Sequence, residues 1–367
     1  MLLLFTSLYL TQDLHFTIGQ AGFIMSFYGI GSIMGAYLGG WITDRSPFKK
    51  IMIFSLISSS IILSFLLVTK SLPMICLTIF GYALTADIFR PANSKAILIY
   101  SNPENRTRSV SLYRLAINLG FSVGPAIGGF IAFYLGYKWL FVIDSATSLM
   151  AAAMLYYFLP KSSDNDQVEK SAAIEENKSA YRDWKYLIFI LLVAIYGICF
   201  FQLSAAIPQY LHKMCNYSES SIGLLIGLNG FLVVLIEMPL VAALENKRSN
   251  FTYIFWGGLF IPIAMLVMKF TNGSLYGALI YIILITISEM LCMPFMLNFV
   301  ISRASNSRQG QYAALYSMAY GIAHIFAPLL GLGIANKFGF GVMFYFFIGF
   351  GILGAFAFKL LEGWKPK

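Results

Sequence analysis

The sequence is written twice. When the first half is shifted by 201, Tyr9 and Leu10 fall on Tyr210 and Leu211, Gly22 on Gly223, Gly29 on Gly230, and Asp44 on Glu245. A shift of 203 then carries Pro91 onto Pro294, Leu112 and Tyr113 onto Leu315 and Tyr316, Pro125 onto Pro328, and Gly128 onto Gly331. Two copies of a long apolar unit that run in the same direction fold as parallel repeats, related in a membrane by an axis along its normal. Whatever the chain does is expected to lie between its halves.

The apolar character is extreme, with 59% apolar residues, 11% charged residues and a mean hydropathy of +0.75, which excludes an ordinary soluble domain. Stretches long enough to cross ~30 Å of hydrocarbon follow one another with short polar breaks. Their spans are 1–12, 18–41, 51–69, 72–100, 109–135, 139–160, 185–211, 221–244, 251–270, 274–301, 310–335 and 340–361. The sequence therefore predicts an all-α membrane protein of two six-helix bundles in parallel repeat, 1–160 and 184–367. Between them, 161–183 mixes charges of both signs and reads as a linker.

Lysine and arginine placement predicts the orientation, because cytoplasmic loops retain positive charge. Of the 25 basic residues, 18 fall on one side, among them Arg45, Lys49, Arg182, Arg303 and Lys365. The opposite side holds Lys70, Lys138, Lys213, Lys269 and Lys337, while Arg90 and Lys95 lie within a span. Linker and C-terminus are thus expected in the cytoplasm of a multi-pass protein of the cell membrane. The net charge of +9 then reflects topology and contact with anionic lipid, with no call for nucleic acid. Met1 to Gln12 is too short to span, and it lacks the basic region and cleavage site of a signal peptide. The repeat sets Met1 opposite Gln202, well inside the stretch that opens near Lys185, so the first helix is expected to be truncated by about sixteen residues. Cys76, Cys199, Cys215 and Cys292 show no metal spacing, no cofactor is called for, and no nucleotide loop or nucleophile–base pair suggests an enzyme.

Two motifs carry a family resemblance. The loop from Gly39 to Lys50 resembles the signature G-x-L-a-D-r-x-G-r-k of the major facilitator superfamily. Gly40, Asp44, Arg45 and Lys49 match, whereas Pro47 replaces a glycine and Phe48 a basic residue. Asp44 is suited to face a helix N-terminus across the bundle interface and the cations to pair with carboxylates or lipid, which makes a latch; Arg114, near the same end, is a further latch residue. The fifth stretch, with Gly120, Gly124, Pro125, Gly128 and Gly129, resembles the family's antiporter-associated motif g-x-x-x-G-P-x-x-G-G. Small residues at this spacing also serve plain helix packing. The resemblance implies rocking of the bundles about a central cavity and export of a small organic or drug-like solute against protons, by a monomer, as in multidrug efflux. A nutrient importer, symporter or uniporter, is the alternative, and a non-transporting polytopic protein the alternative of another class. One departure bears on coupling: where the family's fourth helix carries arginine four residues before glycine, Leu77 precedes Gly81.

Ionisable groups inside a bilayer cost at least ~2.5 kcal/mol each, so each requires a partner or a purpose. Asp87 and Glu289 each lie fifteen residues into pseudo-equivalent stretches and precede Pro91 and Pro294. Arg90 shares a helix face with Asp87, while Glu289 has no such neighbour and ranks first for proton coupling. Glu237 reads equally as a coupling group or a lock on a neighbouring helix, and His324 as a titrating group or a packing residue. Gln202, Asn229 and Asn298 are candidates to orient a solute in the cavity or to tie helices together. Asp144 reads as a capping or solvated group near a helix end.

Overall fold

Hydrocarbon offers no hydrogen bonds to the backbone, so each apolar stretch must close its own as a helix. The computed structural model describes residues 2–43, 45–100, 106–159, 180–244, 247–303 and 309–363, without the side chains of 2, 3, 98, 106–111, 114, 309 and 310. Every regular element among the described residues is helical. The first bundle comprises α1 (Leu2–Gln12), α2 (Ile18–Thr43), α3 (Phe48–Ser64), α4 (Leu72–Asp87), α5 (Phe89–Tyr100), α6 (Arg106–Leu135) and α7 (Tyr137–Phe158). The second comprises α8 (Trp184–Phe200), α9 (Ala206–Cys215), α10 (Glu219–Leu244), α11 (Asn250–Phe270), α12 (Leu275–Arg303), α13 (Gln309–Phe338) and α14 (Phe340–Gly363). Eleven helical stretches among the described residues are long and apolar enough to span, whereas α1, with 11 residues, is about half the required length.

Two spans are broken, each by a proline. Pro91 has no N–H for the carbonyl of Asp87 four residues back, and the helix breaks between α4 and α5 at Ile88. Pro208 likewise leaves the carbonyl of Ser204 without its helical donor, and a short 3₁₀ turn, Phe201–Leu203, separates α8 from α9. The sequence reading singles out Pro91, beside Asp87, but not Pro208. Pro294, by contrast, is accommodated inside a continuous α12.

Small residues bring helices close within a bundle. On α2, a Cβ on Gly31 would sit 2.4 Å from the Phe80 carbonyl oxygen, and one on Gly35 would sit 2.2 Å from that of Leu84. Only glycine permits this approach of α2 to α4. In the second bundle, Asp183 caps α8, its Oδ1 accepting the Tyr186 amide at 3.2 Å. It also takes a two-pronged bond from Arg303 of α12, at 2.6 and 2.8 Å, and the Tyr312 hydroxyl of α13 at 3.1 Å. Burial alone would raise the Asp183 carboxyl, but these donors hold it below its ordinary value. A lowered folded-state pKa stabilises above the unfolded value of ~3.9, and that stabilisation is lost as pH falls through the lower folded value. Asp183→Asn is therefore expected to cost about 1–3 kcal/mol at neutral pH, read as a lower Tm in detergent. The difference from the unmodified protein should shrink below about pH 4; a difference that persisted in acid would show that packing, not charge, holds this corner.

Candidate functional site

The most extensive contacts between the bundles are those of α2 with α13 and of α6 with α10, and they repeat the duplication in space. A Cβ on Gly22 would lie 2.5 Å from the Pro328 carbonyl oxygen, and one on Gly223 would lie 2.4 Å from that of Pro125. A Cβ on Gly29 would lie 2.6 Å from the amide of Ile325, and one on Gly230 would lie 2.6 Å from that of Ser122. The pairs are related by the same shifts, 201 on one side of each contact and 203 on the other, that relate the two halves of the sequence. Pro125 and Gly129 of the fifth-stretch motif thus pack against α10 of the other bundle. Gly124 is half-buried and Gly128 buried, while Gly120 faces open space.

These contacts occupy the half of the spans remote from the basic loops. At that end Gln209 of α9 donates to the Ser7 carbonyl of α1 at 2.6 Å and to the Thr11 hydroxyl at 2.8 Å. The Tyr137 hydroxyl of α7 donates to Glu219 of α10 at 2.5 Å. Toward the basic end, Leu115, Ile117, Leu119 and Phe121 are all exposed, so most of the circumference of α6 is without packing there. The bundles are closed together at one end and part toward the other.

Polar groups gather in mid-span below the closed seam. The Asn229 side chain of α10 donates to Glu289 of α12 at 3.0 Å and to the Thr286 hydroxyl at 3.0 Å. Buried Glu237 lies two helical turns beyond Asn229 on α10. Asp87 is buried at the α4–α5 break and binds Arg90 Nε at 2.8 Å. His324 of α13 stacks on Phe201, 4.0 Å between ring centres, and meets Tyr28 of α2 edge-on at 5.9 Å, with Tyr82 of α4 beyond. Asp144 lies half-buried in the second turn of α7.

The remaining candidates lie elsewhere. Gln202 donates to the carbonyls of Ile198 and Ala327, both at 2.9 Å, and so ties the α8–α9 break to α13. Asn298 is exposed and bonds Asn250 at 3.2 Å, joining α12 to the start of α11. In the signature loop, Arg45 turns back onto its own helix, bonding the Trp41 carbonyl at 3.0 Å, and Lys49 donates to the carbonyls of Tyr156 and Leu159 at the end of α7. A Cβ on Gly40 would meet open space. Asp44, the Arg114 side chain and all of the linker but 180–183 lie outside the described residues. Among the described residues no group of three metal-ligating side chains forms. A separate cavity of about 340 Å³ at the closed end is lined by Asp13, His15, Lys70 and Lys138 of the first bundle. There burial raises the Asp13 carboxyl, against the pull of Lys138 and His15.

Two pseudo-symmetric helix bundles that close on each other at one end, each with ionisable groups at mid-span, define the architecture of a secondary transporter. The chain belongs to the Major Facilitator Superfamily, whose pattern it matches over residues 1–328, and it is a transporter of that family, not an enzyme. It is 21% identical to the Na(+), Li(+), K(+)/H(+) antiporter of Planococcus maritimus, across 96% of this chain and 90% of that one. It is 22% identical to the quinolone resistance protein NorA of Staphylococcus aureus, across 87% and 81%. Among solved structures it resembles a POT family transporter bound to a thioalcohol-conjugated peptide, with a TM-score of 0.83 at 12% identity over 98% of this chain and 92% of that one. A bacterial homolog of the human lysosomal transporter Spinster, in an inward-facing unoccupied conformation, matches with a TM-score of 0.74 at 15% identity over 100% and 95%.

Proposed function

We propose that the protein is a proton-coupled exporter of small organic molecules in the cell membrane, with Glu289 as its proton-carrying group. The observation that carries this reading is the Asn229–Glu289 pair, a carboxylate at mid-span held by a neutral donor instead of a cation. Without a counter-charge, such a carboxylate is neutral when protonated and costly when ionised in a closed cavity, so its proton must come and go with the opening of the site. Asp87 ranks second because Arg90 already neutralises it. The names of the relatives, a cation/proton antiporter and a quinolone resistance protein, fit exchange of a solute for a cation. The bodies that move are 1–160 and 184–367, tethered by 161–183, and the protein works as a monomer. The basic loops and the C-terminus face the cytoplasm, so the parted end is the inward-facing one. Asp44, Arg45, Lys49 and Arg114 form the latch engaged when that end closes.

The test is accumulation of a fluorescent drug-like cation, anion and neutral compound in proteoliposomes carrying an imposed pH gradient. Export by antiport predicts that at least one solute moves against the proton gradient and that a protonophore stops it. Movement in the same direction as protons would instead establish an importing symporter, and gradient-independent movement a uniporter.

A further inference from the structure

Arg90 is a charge that its ion pair does not explain. In the second bundle, Arg303 and Asp183 show how a structural pair looks in this protein: two parallel bonds, with the arginine side chain 28% exposed. Arg90 makes a single close contact, an ion pair of Nε with Asp87 Oδ1 at 2.8 Å, and its side chain is 65% exposed although it sits near mid-span. Ser32 of α2 faces the Asp87 carboxylate, but Oδ2 is buried without a hydrogen bond, so the pair is one-pronged on both sides. A guanidinium has five N–H donors; both Nη groups of Arg90 have no acceptor among the described residues. Facing a cavity open to water, these donors remain available to an anion that enters it.

The direction of the side chain is set by the fold. Ile88, Ala92 and Ala96 pack on α3, which turns another face of α5 toward the space between the bundles. A charged side chain at this depth turns to a bundle interior or a water-filled cavity, and Arg90, on the face of α5 away from α3, is thereby directed to the parted side and not into lipid. Its place in the first turn of α5, just past the break at Ile88, adds the positive end of that helix. One turn from Ser32 on α2, Tyr28 meets Tyr82 of α4 and His324 of α13, so flat aromatic rings lie on the seam beside the Asp87–Arg90 pair.

We infer that Arg90 is the receptor for a carboxylate on the transported solute, so that the cargo is an aromatic organic anion, or a zwitterion bound by its anionic end. The planar fork of the guanidinium matches a carboxylate with two parallel bonds, a fit that a lysine ammonium does not provide. Asp87 keeps the arginine neutralised and oriented while the site is empty, and the cargo carboxylate takes the Nη edge that Asp87 leaves open. This inference rests on the reading of the chain as a carrier of small organic molecules and narrows its cargo.

The test uses one ring with three charges, 1-naphthoate, 1-naphthamide and 1-naphthylmethylammonium, titrated into the full chain in detergent by calorimetry. Naphthoate is expected to bind at least about tenfold more tightly than the amide, the range of hydrogen bonds to charged groups. Arg90→Gln should bring naphthoate down to the amide's affinity while leaving amide binding intact, which serves as the control for folding. Arg90→Lys should recover only part of the preference. Asp87→Asn, which removes the competing carboxylate, should tighten naphthoate further, and a loosening would count against the assignment. Equal binding of the three probes, preference for the ammonium, or an anion preference that survives Arg90→Gln would each overturn it. Solute movement in vesicles without anion preference would remove the receptor and leave the transporter reading standing; no solute movement of any kind would remove both.

Discussion

Glu289→Gln is expected to reduce solute movement driven by a pH gradient to the level of empty vesicles, while exchange of solute for solute at equal pH continues. Glutamine has nearly the volume of glutamate, and its amide oxygen can still accept the Asn229 N–H that now reaches Glu289 at 3.0 Å. The substitution therefore keeps the packing and the hydrogen bond and removes only the titration, fixing the group in the equivalent of its protonated state. Exchange needs the bundles to rock and the cargo to bind but no net proton movement, so it separates coupling from transport. If gradient-driven movement in proteoliposomes were unchanged by Glu289→Gln, the coupling role would pass to Asp87, and Asp87→Asn would become the decisive variant.

Gly223→Val is expected to shift the protein away from the conformation described above. A Cβ at this position lies 2.4 Å from the Pro125 carbonyl oxygen, and backbone cannot yield as a side-chain tip does. Overpacking of this kind costs about 1–3 kcal/mol, which is roughly a 5- to 150-fold change in the balance between closed and parted seams. The glycine lies on the seam between bundles, so rotating the bundles apart relieves the clash without unfolding either one. Spin labels on the remote ends of α2 and α13 should accordingly report longer distances, and Gly22→Val, at the matching contact with Pro328, should act in the same direction. Gly120→Ala is the control, since its Cβ would meet open space. Unchanged distances in Gly223→Val, with the protein still monodisperse, would show that the seam does not set the conformational balance.

Much of this was legible in the sequence. Hydropathy alone determines that the backbone crosses a membrane as helices, because an unsatisfied peptide group in hydrocarbon leaves no other solution. The duplication determines that α2 and α10, and α6 and α13, are equivalents. Pro91 marks the break beside Asp87, and the Asp87–Arg90 pair follows from three-residue spacing on one helix face. These are local properties, or properties of periodicity, and a sequence displays them directly.

Partners across helices are different. Nothing in the spacing of Glu289 indicates Asn229, sixty residues earlier on another helix, yet that amide is its hydrogen-bond donor. Asn229 and Asn298 look alike as amides within apolar stretches, but Asn229, near the middle of α10, reaches the carboxylate, whereas Asn298, five residues from the end of α12, bonds Asn250 at the start of α11. The motif glycines likewise read as packing residues, whereas only the assembled bundles show that Pro125 and Gly129 meet α10 while Gly120 meets nothing. Periodicity tells which residues share a face. It cannot tell which helix that face will meet, because in a membrane the neighbour is chosen by close packing and hydrogen bonding between whole helices, and no hydrophobic pattern distinguishes one apolar neighbour from another.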